Sequence, residues 1–415
     1  MQPIHTPSRA LTSNVTKISS NSHSNHIAAV DGLRGLAIAL VMVRHFVEPF
    51  LSRGETVSLS SIALTDRIFY RACTLGSVGV DLFFVISGFL ITGILLDTKG
   101  NGDFFRRFYW RRTIRIFPLY YATLVVCFLV YPVLWGTSRN YVIGDSTTYQ
   151  LWYWMYAENV LFGIERRFVG LAHFWSLAVE EQFYLVWPMV VFLTNRKYLA
   201  VACVLCILCA VLVRFAVMSK NLPVEVAYVN TFARIDALAV GALLAIAARS
   251  PKSLRGLRTP AFALGTAAAL LLVALVLTAP ETAGVGGRTH LINIMGGSIL
   301  SIGFGALLVV AITDKPHNIT SRICSSLLLR CLGKYSYCLY VVHPFVWGAL
   351  AFKWRDDWIP AIGNSLIPGR LVFFALAGGI SMILAMASWK YFEAPLLRLK
   401  DCQPWQPRIG PGARA

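Results

Sequence analysis

Arg34 and His45 stand eleven residues apart in the hydrophobic stretch AAVDGLRGLAIALVMVRHFVEPF, from Ala28 to Phe50. On an α-helix, eleven steps return to within about 20° of the starting direction and climb roughly 16 Å. A cation at the membrane surface and an imidazole deep below it then share one face. Alone, Arg34 could be a flanking anchor and His45 a hydrogen-bonded interior residue; the groups that follow favour a shared chemical purpose.

The segment DTKGNGDFFRRFYWRRTIRIFP carries Arg106, Arg107, Arg111, Arg112 and Arg115. A basic cytoplasmic loop accounts for some of them. Arg112 and Arg115, however, are three apart just before Pro118, so on a helical turn they project side by side, and two guanidiniums together can grip a phosphate. With Arg34 at the same surface, three arginines converge on a polyphosphate.

HFWSLAVEEQFYLVWP opens the fourth hydrophobic run, and Glu180 and Glu181 lie about 11 Å along it if it enters from the outer face. His45 reaches a comparable depth. A buried carboxylate must be paired or hydrated, and one set beside an imidazole would fix its tautomer for a general base; a structural ion pair is the plainer alternative. Arg234 and Asp236 in FARIDALAVGALLA and His343 in LGKYSYCLYVVHPF fall in the same outer half, as acceptor-binding candidates or as helix anchors. Ser87 in DLFFVISGFLITG reads as a packing residue rather than a nucleophile. The thiols of Cys203, Cys206 and Cys209 share a helix face but lack a fourth ligand, so they read as packing residues and no metal site is expected.

The elements that must position these groups are membrane helices. Of 415 residues, 56% are hydrophobic and 14% charged, with a mean hydropathy of +0.61. This composition excludes an ordinary soluble domain. The net charge of +18 lies between apolar runs, where topology and anionic headgroups explain it better than nucleic acid does. Runs at 28–50, 74–96, 116–135, 173–194, 199–218, 232–248, 260–278, 291–312, 332–352 and 370–391 predict an all-α polytopic transmembrane bundle of about ten spans, both termini cytoplasmic. Lys and Arg then concentrate on the inner side; counting the aromatic stretch 145–164 as an eleventh span reverses that bias, so it is expected to lie on the outer face. Residues 1–27 read as a polar cytoplasmic leader, 28–398 as one membrane domain and 399–415 as a cytoplasmic tail.

A surface polyphosphate anchor joined by a slender path to a buried base suits acyl-CoA as co-substrate, with no permanently bound cofactor. Its phosphates would meet Arg34, Arg112 and Arg115, and its thioester would approach His45, which would take the proton of an attacking hydroxyl. The motifs DGLRGLAIALVMVRH, VGVDLFFVISGFLIT, RRTIRIFPLYY, HFWSLAVEEQFYLVWP, RIDALAVGALLA, LGKYSYCLYVVHPF and YFEAPLLR follow one another in an order that resembles the acyltransferase 3 family of integral-membrane, acyl-CoA-dependent O-acyltransferases. The resemblance runs from Ala28 to about Arg398. It implies a multi-pass protein of the bacterial inner membrane that acylates glycans or lipid-linked saccharides, acetyl being the favoured group. It assigns Arg34, His45, Arg112 and Arg115 to the acyl-CoA and catalytic set, and matches Glu180 and Glu181 to paired acids, Glu180 being preferred as the partner of His45. The polar leader is a departure, as is the lack of a carboxy-terminal esterase-like domain; transfer is expected to finish in the membrane domain or pass to a separate protein. Two rivals remain: a transporter of an acyl group or lipid-linked saccharide, which has no special need for paired phosphate-binding arginines, and a scaffold without chemistry.

Overall fold

The computed structural model describes residues 28–46, 63–135, 143–250, 254–278, 290–313, 318–353, 365 and 367–401. The expected leader, residues 47–50 of the first run and residues 402–415 of the tail lie outside them. Each of the ten hydrophobic runs falls on a helix: α1 (28–46), α2 (Gly79–Thr98), α3 (Phe104–Val125), α4 (Trp175–Leu193), α5 (Arg196–Ser219), α6 (Thr231–Ala248), α7 (Arg258–Thr278), α8 (His290–Thr313), α9 (Leu327–Lys353) and α10 (Ile367–Ser388). Among the described residues, seven helical stretches are long and apolar enough to cross a membrane; they carry α2 to α6, α8 and α10. Large apolar side chains such as Leu205, Leu208, Leu212 and Phe215 on α5 and Leu371, Val372 and Ile383 on α10 face outward, as hydrocarbon-facing surfaces require.

Contacts between the helices fix their relative directions. Arg34 meets Ser336 and His45 meets His343, so α1 and α9 run parallel. Ser87 with Glu180 and Thr92 with Trp187 make α2 and α4 parallel. Ser176 with Tyr340 and His173 with Val341 set α4 against α9, and Phe46 with Phe373 and Met42 with Gly378 set α10 against α1. The same reasoning from Tyr109 and Tyr120 on α3, Arg196 and Arg214 on α5, and Gly265 and Ala268 against Ala306 and Gly303 makes odd-numbered helices run one way and even-numbered ones the other.

The stretch read as an outer-face segment breaks into short helices at Gly144–Thr147, Gln150–Trp154 and Glu158–Glu165, none long enough to span a bilayer. Tyr156 and Arg166 take φ of 52° and 53° at the breaks. The Tyr153 hydroxyl ties the segment together by donating to the Val169 carbonyl.

Candidate active site

Helices α1, α2, α3, α4 and α9 enclose a cavity of about 530 Å³. Arg34 on α1 and Arg112 and Arg115 on α3 line it together, as their spacing predicts. Arg34 and Arg112 are half-buried, and Arg115 is exposed. Arg34 donates to Ser336 Oγ at 3.0 Å, and the Arg112 guanidinium lies over the Tyr184 ring, 4.6 Å from its centre. Among the described residues, none of the three forms an ion pair with a carboxylate. Asp31 and Glu180 line the same cavity, so the three guanidiniums face two carboxylates; the excess of positive charge favours a bound polyanion.

Glu180 lines the same cavity. Its Oε1 accepts a hydrogen bond from Ser87 Oγ at 2.5 Å. The expected pairing of Glu180 with His45 is not formed. Glu180 lies more than a turn into α4, whereas His173, in the short turn that precedes the helix, stands near the level of His45. Glu181, turned about 100° from Glu180 around the helix, is not among the residues lining the cavity; its Oε1 is buried without a hydrogen-bond partner.

His45 does not line the cavity either. Its Nδ1 lies 2.9 Å from the Val41 carbonyl and 3.3 Å from His343 Nε2, with ring centres 4.9 Å apart. His173 adds a third ring, 5.8 Å from that of His343. Between the cavity and this cluster stands Tyr340, which lines the cavity and whose hydroxyl donates to the His173 carbonyl at 2.6 Å and contacts Ser176 Oγ at 2.5 Å. Pro344 has no N–H to return to the Tyr340 carbonyl, which loosens α9 at this level.

Arg234 and Asp236 lie away from the cavity, in a buried network. Arg234 pairs with Asp81 at 2.8 Å and lies over the Trp175 and Tyr228 rings, and Asp236 pairs with Arg214 at 2.9 Å and accepts from Ser298 at 2.6 Å. The expected acceptor contacts of Arg234 and Asp236 thus give way to pairs that bind α2, α5, α6 and α8 together. Sequence reasoning passed over Asp81 and Arg214, although each is an ionisable residue inside an apolar run, the signal that singled out His45. It also passed over His173, Ser176 and Tyr340, which look ordinary until α4 and α9 are packed.

The family described as an acyltransferase domain, acyltransferase 3, matches residues 27–390. A Bacillus subtilis protein named as a peptidoglycan O-acetyltransferase is 28% identical over 390 residues, 90% of this chain and 55% of that protein. The O-acetyltransferase OatA of Staphylococcus aureus is 25% identical over 403 residues, covering 89% of this chain and 57% of its own length. The chain thus spans a little over half the length of these relatives. No solved structure matches it. With the motifs in order and the match extending over all ten helices, the chain belongs to the acyltransferase 3 family.

Proposed function

We propose that this chain is a membrane O-acyltransferase that moves an acyl group, acetyl first among them, from acyl-CoA to a hydroxyl of a surface or secreted glycan. The observation that carries the reading is the cavity where Arg34, Arg112 and Arg115 meet and outnumber the carboxylates of Asp31 and Glu180, with Arg34 on a helix that leads eleven residues onward to His45. At about 530 Å³ the space is of small-molecule size. The CoA phosphates take the arginine end, and the pantetheine arm runs between the apolar wall of Phe83 and Leu90 and the polar side chains of Ser176, Ser336 and Tyr337. The thioester passes Tyr340 to reach His45. His45 accepts the proton as the acceptor oxygen bonds to the thioester carbon, and the departing thiolate takes that proton.

The alternating helix directions and the inner bias of Lys and Arg support ten crossings of the bacterial inner membrane with both termini cytoplasmic. Arg34 then faces the cytoplasm, where acyl-CoA is made, and His45 lies toward the outer side. The names of the relatives support a glycan acceptor.

Replacing His45 by Ala in a strain lacking its own copy should abolish the base-labile acyl increment in mass spectra of surface glycans. The purified variant should still bind acetyl-CoA. Full acylation in that variant would sink the reading.

A further inference from the structure

A carbonyl oxygen can only accept a hydrogen bond, and this assigns the protons of the paired histidines. His45 Nδ1 is 2.9 Å from the Val41 carbonyl, and His343 Nδ1 is 2.9 Å from the Leu339 carbonyl, each one helical turn back. Each Nδ1 therefore carries hydrogen, and in the neutral rings each Nε2 keeps a lone pair. The 3.3 Å contact between His343 Nε2 and His45 Nδ1 then has a single direction. His45 donates, sharing its Nδ1–H between Val41 and His343, and His343 Nε2 accepts. His45 Nε2 is left as the free basic nitrogen.

We propose that His343 is a positioning residue for His45, filling the place that a carboxylate fills in a Ser-His-Asp triad; this rests on the reading of His45 as general base. The carboxylate that spacing offered for the place, Glu180, is engaged with Ser87 in the cavity. His173 does not compete: the hydrogen bonds of His45 go to Val41 and His343, and His173 turns its Nε2 to the Val341 carbonyl at 3.3 Å. The fold holds the acceptor ring firmly. His343 is fully buried, with the Phe46 ring set edge-on at 6.1 Å and the His173 ring on another side.

In the reaction, the acceptor hydroxyl gives its proton to His45 Nε2 while its oxygen bonds to the thioester carbon. His45 is then an imidazolium, and its Nδ1–H bond to His343 strengthens. When the carbon–sulfur bond breaks, Nε2 returns the proton to sulfur. His343 is unchanged in charge throughout; it keeps the proton on Nδ1 and the ring oriented.

The experiment compares His343→Leu with His343→Gln, since Gln supplies an acceptor oxygen and Leu does not. Each is expressed at equal membrane level in a strain lacking its own copy, and base-labile acetate on envelope glycans is measured. His343→Leu should lower acetate by about tenfold or more, and His343→Gln should restore most of it. Acetyl-CoA binding by the purified full chain in lipid nanodiscs should change by less than about twofold. Nitrogen-15 NMR of the histidine-labelled parent chain should show His45 protonated at Nδ1 and bare at Nε2, its signals identified by their loss in His45→Gln. Equal acetate from His343→Leu and His343→Gln, or a His45 protonated at Nε2, overturns the proposal. The control is His45→Ala: acylation retained there defeats the base itself, whereas an inactive His45→Ala beside a fully active His343→Leu defeats only the positioning role.

Discussion

Gly35 lies so close to Leu329 that a Cβ on it would stand 1.8 Å from the Leu329 carbonyl oxygen. Gly333 meets the Asp31 carbonyl at the same hypothetical distance. The two glycines let α1 and α9 touch backbone to backbone, and that contact sets Arg34 beside Ser336 and His45 beside His343. Gly35→Ala must push the helices apart. It should abolish acylation and lower thermal stability together, because overpacking a tight contact costs about 1 to 3 kcal/mol or more. A variant that keeps wild-type activity and unfolding temperature in nanodiscs would contradict the packing described.

Arg34, Arg112 and Arg115 should behave as one anion site. Replacing any one by Gln removes charge-assisted hydrogen bonds worth about 1.5 to 3 kcal/mol, so acetyl-CoA affinity should fall by roughly tenfold or more. Calorimetry with acetyl-CoA measures it. The loss should be smaller when the ligand is acetyl-pantetheine, which has no nucleotide phosphates. An equal loss with both ligands would count against phosphate binding.

The meeting of Arg34, Arg112 and Arg115 at one cavity was legible in the sequence because it depends on helical periodicity and on which end of a hydrophobic run a residue occupies. Arg112 and Arg115 must lie side by side on one turn, and Arg34 must lie near the start of its run. The partner of His45 was not legible. Glu180 and His173 sit in the same motif, and which of them reaches the level of His45 depends on where α4 starts and how far it slides against α1. Neither leaves a trace in composition. For Arg234 and Asp236 spacing leaves acceptor contact and helix anchor equally open for a related reason: their partners, Asp81 and Arg214, lie on other helices, where only packing brings them near. The ten hydrophobic runs, by contrast, announced their helices directly, since twenty apolar residues leave the backbone few other ways to satisfy itself in lipid.

The pair Arg214 and Asp236 should matter for folding and not for donor binding. Both are almost wholly buried, and removing one partner strands a charge, at a cost of about 3 to 5 kcal/mol. Asp236→Ala should therefore unfold at markedly lower temperature than Arg214→Met combined with Asp236→Leu, which removes both charges. Any folded fraction should bind acetyl-CoA normally. Reduced affinity in folded protein would return Asp236 to the active site.

Ser87 should prove dispensable as a nucleophile. Its hydroxyl is spent on Glu180, so Ser87→Ala costs one hydrogen bond of about 1 to 3 kcal/mol and should leave acyl transfer running. Intact-mass spectrometry after incubation with acetyl-CoA should find no acetyl group on Ser87. A trapped acyl-serine would instead make the transfer a two-step reaction.

Glu158, in the segment between α3 and α4, offers a test of pH. It is fully buried, and burial holds its carboxyl well above the usual carboxylate range. In the unfolded chain the same group ionises near pH 4.3 or so. Folding thus favours the protonated form, and its contribution is fully present below that pH. As pH rises above it, the unfolded state releases a proton that the folded state keeps, so stability falls by up to about 1.4 kcal/mol per unit until the folded group ionises in turn. Glu158→Gln stays neutral at every pH and should flatten this slope, making the variant more stable than the parent at neutral pH and equal to it near pH 4. Thermal unfolding in nanodiscs across that range measures the difference. A slope unchanged by Glu158→Gln would mean that the carboxyl is ionised in the folded protein.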